Sequence, residues 1–500
     1  MTYVRRRIVR AGAAPVLAAL ALTLPALALA FPASAQAARV LVMGPGGHVT
    51  ARQDPFVSPG EPTPAPAAVQ ATAAAAKPSK PKKPPQKTVA SELKRLLKSG
   101  AINSSQYGAY HASFNAALSA ERRLRGTRAT ELEAVITNLH NIAVAGKLTP
   151  GRLPVLFQTL DRNRQWWTTG PLLASGQYVE FSDSQLLWEY YAGQGIELQV
   201  LGSFGKADGL YTAGPADYSQ LEALLSQIIP LAVNRAGGLV WEYYFQFDGG
   251  KPPWTSAMSQ GTGIEALTRA YLASHDPEYL QLAHSALPVF TAPPPVGVRV
   301  ATPIGARYVQ YTFTPGTSII NAFLQSLIGL YDYAQVSHDP LAQQLFNAGN
   351  AEAEAEVPHY DTGAWSLYQP GIEDTLSYHE LVTGFLQQLC TRTQAPVYCT
   401  TAQHFTNYLT TPPALQLVTQ HLAKGKPATI SFHLSKVSRV GIVVIGPGGH
   451  TLFSTSASFG YGTRSFAVPP LKHKGTYTIH LAATDLAGNF NRIVGTIQVS

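Results

Sequence analysis

Cysteine is almost missing from this chain: among 500 residues only Cys390 and Cys399 occur, separated by TRTQAPVY. That scarcity excludes a cysteine-built metal centre, because no third and fourth ligand stand at suitable spacing, and the gap excludes a C-x-x-C redox motif. No metal and no cofactor are therefore expected. In an exported protein such a nearby pair is expected to form a disulfide. Charge is also sparse, at 13% of residues against 45% hydrophobic ones, so the chain can bury a large core. Beyond the first 35 residues no apolar run is long enough to cross a bilayer. Two Gly-rich turns, GPGGH at 44–48 and again at 446–450, have neither a following helix nor a lysine, which excludes a phosphate loop. Glu189, Glu242, Asp361, Glu373 and Glu380 are available, but their spacing shows no carboxylate pair of the kind hydrolysis needs.

What is present begins with an address. Arg5, Arg6, Arg7 and Arg10 precede an apolar stretch from Ala11 to Ala30, and Ala33-Ser34-Ala35 has the small residues of a cleavage site. Residues 1–35 are expected to be a signal peptide, or an uncleaved anchor, that places the protein outside the cytoplasmic membrane. Residues 36–58 form an N-terminal strand segment. Residues 59–87, containing PSKPKKPPQK, form an extended linker whose lysines are candidates for contact with an anionic cell wall. The net charge of +8 would otherwise point to nucleic acid. Four leader arginines, five linker lysines and Glu61 account for all of it, so the rest is neutral and no nucleic-acid partner is expected.

Residues 88–175 carry apolar residues at helical spacing. Residues 176–425 are expected to form the main domain. Gly176 to Tyr211 is either a short sheet or a set of pocket-lining loops. Helices are expected over Tyr218–Arg235, Ser256–Ser274, Asp276–Phe290, Thr317–Val336, Pro340–Val357 and Tyr378–Cys390, with Asp276 and either Thr317 or Ser318 as caps. The long connection from Thr291 to Gly316 has room for a hairpin. Successive helix pairs predict an α/α toroid. Over 426–500 the period changes to two, predicting a small immunoglobulin-like β-sandwich, read as a spacer. The fold class is thus mainly α with a β tail. The repeated V-x-GPGGH element predicts a strand and hairpin turn at both ends of the chain.

Three stretches of the main domain resemble the C-terminal domain of D-glucuronyl C5-epimerases. They are PPWTSAMSQGTGIEALTRAYLASHDPEYLQLAHSAL (252–287), VQYTFTPGTSIINAFLQSLIGLYDY (309–333), and VPHYDTGAWSLY with SYHELV (357–382). The resemblance covers residues 252–382 and neither the N-terminal helices nor the tail. It implies that Tyr311, Tyr368 and Tyr378 line an active cleft as catalytic residues, with Gln310, His379, Gln260, Trp254 and Arg307 as candidates for binding substrate. The implied reaction is C5 epimerisation of uronic acid residues in a polysaccharide, by removal and return of a proton next to a carboxylate. Two companions of the family pattern are lost: a glutamate position is Gln310 and an arginine position is Gly371. Arg269, Arg299 and Arg307 are the possible substitutes for that arginine. The losses keep two alternatives open, a glycan-binding envelope protein without activity and a lyase using the same carbanion. Oligomeric state is undetermined.

Overall fold

Residues 37–57 and 88–500 are described by a computed structural model. The leader expected over 1–35 and the linker expected over 59–87 lie outside the described residues.

Alternating apolar residues make strand β1 (Ala38–Met43), which turns at GPGGH into β2 (Val49–Asp54). The Gly44 amide donates to the His48 carbonyl at 2.8 Å, and Gly47 takes a left-handed φ of 83°. The second GPGGH repeats this: Gly446 donates to His450 at 3.0 Å and Gly449 has φ 77°. A side chain at either glycine would be strained, so the same five residues dictate the same hairpin twice. The sheets they enter differ. β1 runs parallel to β3, in a five-stranded sheet of order β2-β1-β3-β4-β5 with β3 (Tyr178–Phe181), β4 (Trp188–Tyr191) and β5 (Gly195–Leu198).

Between β2 and β3 lie four helices, α1 (Val89–Lys98), α2 (Ser104–Arg123), α3 (Thr127–Val144) and α4 (Leu153–Thr169), which bury their apolar faces against the sheet and one another. Gly176 to Tyr211 therefore holds three strands and then a helix, α5 (Val200–Ala213), that sequence periodicity missed. The helix expected over Tyr218–Arg235 stops early. α6 (Tyr218–Ile228) ends because Pro230 cannot donate to the helix, and β6 (Val233–Arg235) hairpins onto β7 (Gly238–Val240).

α7 (Ala257–Ser274) is capped by Ser256, and α8 (Pro277–Ala286) by Asp276 as expected. β8 (Arg299–Ala301) and β9 (Ala306–Tyr308) form the hairpin foreseen between Thr291 and Gly316. α9 (Ile320–Ser337) starts later than expected, after Ile319. Neither Thr317 nor Ser318 caps it, because Thr317 turns its hydroxyl to Thr314 instead. α10 (Pro340–Glu356), the hairpin β10 (Leu367–Gln369) and β11 (Ile372–Glu373), α11 (Leu376–Thr393) and α12 (Pro396–Tyr408) follow. Cys390 and Cys399 are bonded, joining α11 to α12.

The tightest crossing is α7 on α9. A Cβ on Gly329 would lie 2.0 Å from the Gly261 carbonyl oxygen, and one on Gly261 would lie 2.5 Å from the Ser326 Cα. The two backbones touch, which explains why both family-like motifs carry glycine there.

The tail strands begin at Leu415, ahead of the expected 426. β12 (Leu415–Leu417), β13 (His421–Leu422), β14 (Ala428–Leu434), β15 (Ser438–Ile445), β16 (Thr451–Phe459), β17 (Gly462–Val468), β18 (Gly475–Asp485) and β19 (Phe490–Val499) make sheets β12-β14-β17 and β13-β19-β18-β15-β16. Both sheets contribute to one separate core that includes Phe432, Val440 and Tyr477.

The α7–α9 contact yields a paired prediction. Gly329→Ala must displace backbone and should lower stability by about 1–3 kcal/mol or more in urea unfolding. Gly384→Ala, on α11 with open space around its Cβ, should raise it by roughly 0.5–1 kcal/mol. A neutral Gly329→Ala would contradict the backbone contact.

Candidate active site

Two strands of irregular chain lead into the crossing helices, and they are laced together. Ala257 donates its amide to Val309 (3.0 Å) and Thr312 donates to Thr255 (3.2 Å), while the Thr255 amide donates to the Thr312 hydroxyl (3.1 Å). This lacing holds Tyr311 beside the start of α7. There the Ser256 hydroxyl donates to the Gln310 side-chain oxygen at 3.1 Å, next to Tyr311. The hydroxyls of Tyr243 and Ser259 lie 2.6 Å apart next to them.

Tyr368, on β10, interacts electrostatically with Tyr311, and its ring packs 5.0 Å from that of Tyr378 in the first turn of α11. The three tyrosines named by the motifs are thus one cluster. Tyr311 and Tyr368 are only 7% and 4% exposed, and Tyr378 is half-buried, so access to the group is through Tyr378. Burial raises the pKa of Tyr311 and Tyr368 far above the ordinary phenol range, and the charge of a neighbouring phenolate would raise Tyr368 further. Burial likewise pushes Tyr243 up to about 12. All are neutral hydroxyl donors at physiological pH.

Other candidate residues go elsewhere. Gln260 is fully buried and spends its amide on the backbone of Trp241 and the hydroxyl of Thr255, fastening α7 to the preceding chain. Trp254 stacks on Tyr243 at 4.2 Å and donates its indole N–H to Phe245; it underlies Tyr311 as core, with 4% exposed. Arg307 is paired with Glu356 on α10. Arg269 is held by Asp208 and Glu265, and Arg299 faces Tyr308, so none of the three arginines replaces the family's lost one at the tyrosines. Gly371 sits at the tip of the β10–β11 hairpin with φ 82°.

His379 is completely buried and cannot reach a ligand. Its Nε2–H donates to the Phe405 carbonyl at 2.9 Å, so Nδ1 is the acceptor from the Ser366 hydroxyl at 2.7 Å. Trp365 stacks on the ring at 3.7 Å. Ser366 has one hydroxyl hydrogen, already given to His379, so the 2.5 Å contact between Ser366 and Asp374 needs the proton on Asp374. Burial agrees with that assignment. It raises Asp374 to about 7 and lowers His379 to about 4.

Sequence reasoning missed the sheet's contribution. Tyr178 and Glu189 are cross-strand partners on β3 and β4, so their side chains share one face, with Tyr191 two residues along. Tyr178 is in electrostatic contact with Tyr378, and Tyr243 with Tyr311. The signal was present in the period-two run WEYY, but which face meets the helices depends on tertiary packing. Two surface clefts, of about 620 and 540 Å³, lie elsewhere, against α4 and between α12 and Asp361.

Residues 237–407 match the family described as D-glucuronyl C5-epimerase C-terminus. The family read from the three motif stretches stands for this segment. A D-glucuronyl C5-epimerase of Caenorhabditis elegans is 39% identical over 130 residues, covering 23% of this chain and 21% of that protein. An uncharacterized protein of Methanocaldococcus jannaschii is 27% identical over 137 residues, 26% of this chain and 44% of the other. The chain thus spans from about a fifth to under half the length of these relatives. Among solved structures, a cellobiose 2-epimerase from Spirochaeta thermophila has a TM-score of 0.33 at 12% identity, covering 57% of this chain and 74% of the other. A sugar epimerase from a ruminal bacterium scores 0.31 at 13% identity, covering 42% and 57%.

The buried proton is testable by stability. Asp374, raised in the fold, favours folding at low pH and loses that contribution as pH climbs from about 4 to about 7. His379, lowered in the fold, does the reverse between about 6.5 and 4, so the two oppose each other. Asp374→Asn removes one side of the balance. Its stability relative to the parent should rise with pH between 4.5 and 6.5, by up to roughly 1.4 kcal/mol per unit. Urea unfolding at the two pH values measures it; a pH-independent difference would place the proton elsewhere.

Proposed function

We propose that this chain is an exported carbohydrate epimerase that inverts C5 of uronic acid residues in a polysaccharide. The observation that carries the reading is the meeting of Tyr311, Tyr368 and Tyr378 in one cluster, inside the segment that matches the epimerase family. Removing the C5 proton leaves negative charge on the sugar carboxyl group. Catalysis depends on donors already aimed at that charge. Neutral tyrosine hydroxyls are such donors, and one of them can return a proton to C5 from the other face. Because burial keeps them protonated, they suit the acid's role rather than the base's.

The architecture we assign is an α/α toroid carrying this site, with an immunoglobulin-like tail. The tail's strand order supports the second part. Strands β12-β14-β17 face β13-β19-β18-β15-β16, and β13 runs parallel to β19. Tyr477 near the start of β18 donates its hydroxyl back to the His473 carbonyl at 2.8 Å, a corner typical of such folds. The leader pattern supports export.

One observation favours the second reading, a glycan-binding protein without turnover. Arg269 and Arg307, candidates for the cation expected beside a uronate, are held by carboxylates away from the tyrosines.

Incubation of uronic-acid polymers in heavy water separates these. Deuterium at C5, read by NMR, is expected; binding without label would leave only the binding reading. An unsaturated product absorbing in the ultraviolet would identify a lyase. Tyr378→Phe should lower C5 exchange by about 10²–10⁴-fold, the usual worth of a positioned acid. Unchanged turnover would remove Tyr378 from the chemistry.

A further inference from the structure

If the tyrosines are acids, the site needs a base, and the family's glutamate position holds Gln310. We infer that Glu189, on β4 and outside the family-matched segment, is the catalytic carboxyl that takes the C5 proton. The inference rests on the epimerase reading above.

Placement comes first. Tyr190 and its cross-strand partner Ile196 turn to the other face of the sheet, where the Tyr190 hydroxyl donates to Glu131 on α3. Glu189 and Tyr191 therefore point away from that helix, along with Tyr178 and Glu197, the cross-strand partners of Glu189 on β3 and β5. Through Tyr178 this face interacts electrostatically with Tyr378, and the charge of Glu189 acts on both Tyr178 and Tyr243.

Bonding comes second. Several interior carboxylates are answered by cations, Glu180 by Lys206 and Arg52, Glu242 by Arg152 and Arg235, Glu265 by Arg269, whereas Glu131 is held by the Tyr190 hydroxyl and two backbone amides. Glu189 has only neutral donors, and both serve one oxygen. The Tyr191 hydroxyl donates to Oε2 at 2.9 Å and the Gln199 amide at 2.6 Å. Oε1 has no hydrogen-bond partner among the described residues, and the side chain is half-buried. It is a carboxylate held by one oxygen with the other left available. Burial raises its pKa, against the two hydrogen bonds that lower it, which moves it toward the range where a carboxylate makes an effective base.

The step balances within the site. The Glu189 carboxylate accepts the proton from C5, and the electron pair of the C–H bond moves into the sugar carboxyl group as an enediolate. A tyrosine hydroxyl, Tyr378 being the accessible one, delivers its proton to the opposite face of C5, and the carboxylate re-forms. The phenolate left behind recovers a proton from protonated Glu189 through the intervening hydroxyls or solvent. One C–H bond breaks and one forms, with no oxidant.

Glu189→Gln keeps the shape and the Tyr191 contact but cannot accept the proton. In heavy water it should lose C5 exchange by about 10²–10⁴-fold, while the far-ultraviolet spectrum and melting transition stay near those of the parent. Tyr191→Phe is the second arm, and decides the matter alone if Glu189→Gln does not fold. It retains the carboxylate and removes one hydrogen bond that favours the charged form. The acidic limb of the pH profile of kcat/KM should therefore move to higher pH. Groups facing Glu189 are Tyr178 from β3, Glu197 from β5, Gln199 ahead of α5, and Tyr243 after β7. Of these only Glu197 is a second carboxyl, and burial raises it well above the ordinary carboxylate range. Exchange by Glu189→Gln within threefold of the parent, or an unmoved limb in Tyr191→Phe, overturns the role of Glu189 alone. Parent protein that exchanges no C5 deuterium overturns the epimerase reading, and this role with it.

Discussion

Backbone contact between α7 and α9 is the constraint on which the site depends. With Gly261 and Gly329 face to face, the helices approach as closely as two backbones allow. Their lead-in segments are then near enough to exchange hydrogen bonds at Thr255–Ala257 and Val309–Thr312. Tyr311 stands on one lead-in, and Ser256 on the other. Any side chain at the crossing would spread these segments before it disturbed the tyrosines directly. Glycine in these motifs thus serves geometry, and the polar residues beside it inherit the geometry. The same close approach explains why Gln260 is internal: at this separation the inner face of α7 has no solvent, and an amide there must satisfy itself on Trp241.

Electrostatics then divides the interior into two kinds of territory. Arg152, Arg235, Lys206, Arg269 and Arg392 each meet buried carboxylates, and these clusters tie helices and sheets together. The region around Tyr311, Tyr368, Tyr243 and Tyr178 is different. It is rich in neutral hydroxyls whose ionisation burial opposes. Such a region can stabilise charge that arrives with a ligand, because its own donors are not already committed to an ion. It also sets Glu189, half-buried and held by neutral donors, apart from the carboxylates paired with cations.

Much of this was legible in the sequence, and the failures have physical causes. The helices from α7 to α11 were foreseen within a few residues because caps such as Asp276 and Ser256 act locally. The three tyrosines came from motif wording, and their clustering is a matter of adjacent loops. α6 was overextended because helical apolar spacing continues past Pro230, whose missing N–H decides the end. His379 looked available because one residue away Tyr378 is accessible. On a helix that step is a 100° turn, which carries His379 into a sealed contact with Trp365 and Phe405. Glu189 went unassigned because the partner that gives it meaning lies on strands and helices far along the chain. Only the folded sheet puts it on the tyrosine side.

The tail is the remaining departure from the reading of a spacer. Glu373, on β11, accepts the backbone amides of Val437 and Tyr461, both at 2.7 Å. Buried Lys436 pairs with Asp485 at 2.6 Å, donates to the carbonyls of Tyr408 and Thr411 at the end of α12, and lies 5.2 Å over Trp365. A buried lysine is costly unless it is paired, as Lys436 is with Asp485. What the tail grips is the β10–β11 hairpin, the element that carries Tyr368. That two-stranded hairpin has little pairing of its own, and short isolated hairpins are marginally stable. Its second strand is held by the tail and its first by contact with Tyr311 and Tyr378. The tail therefore supports the hairpin that carries Tyr368.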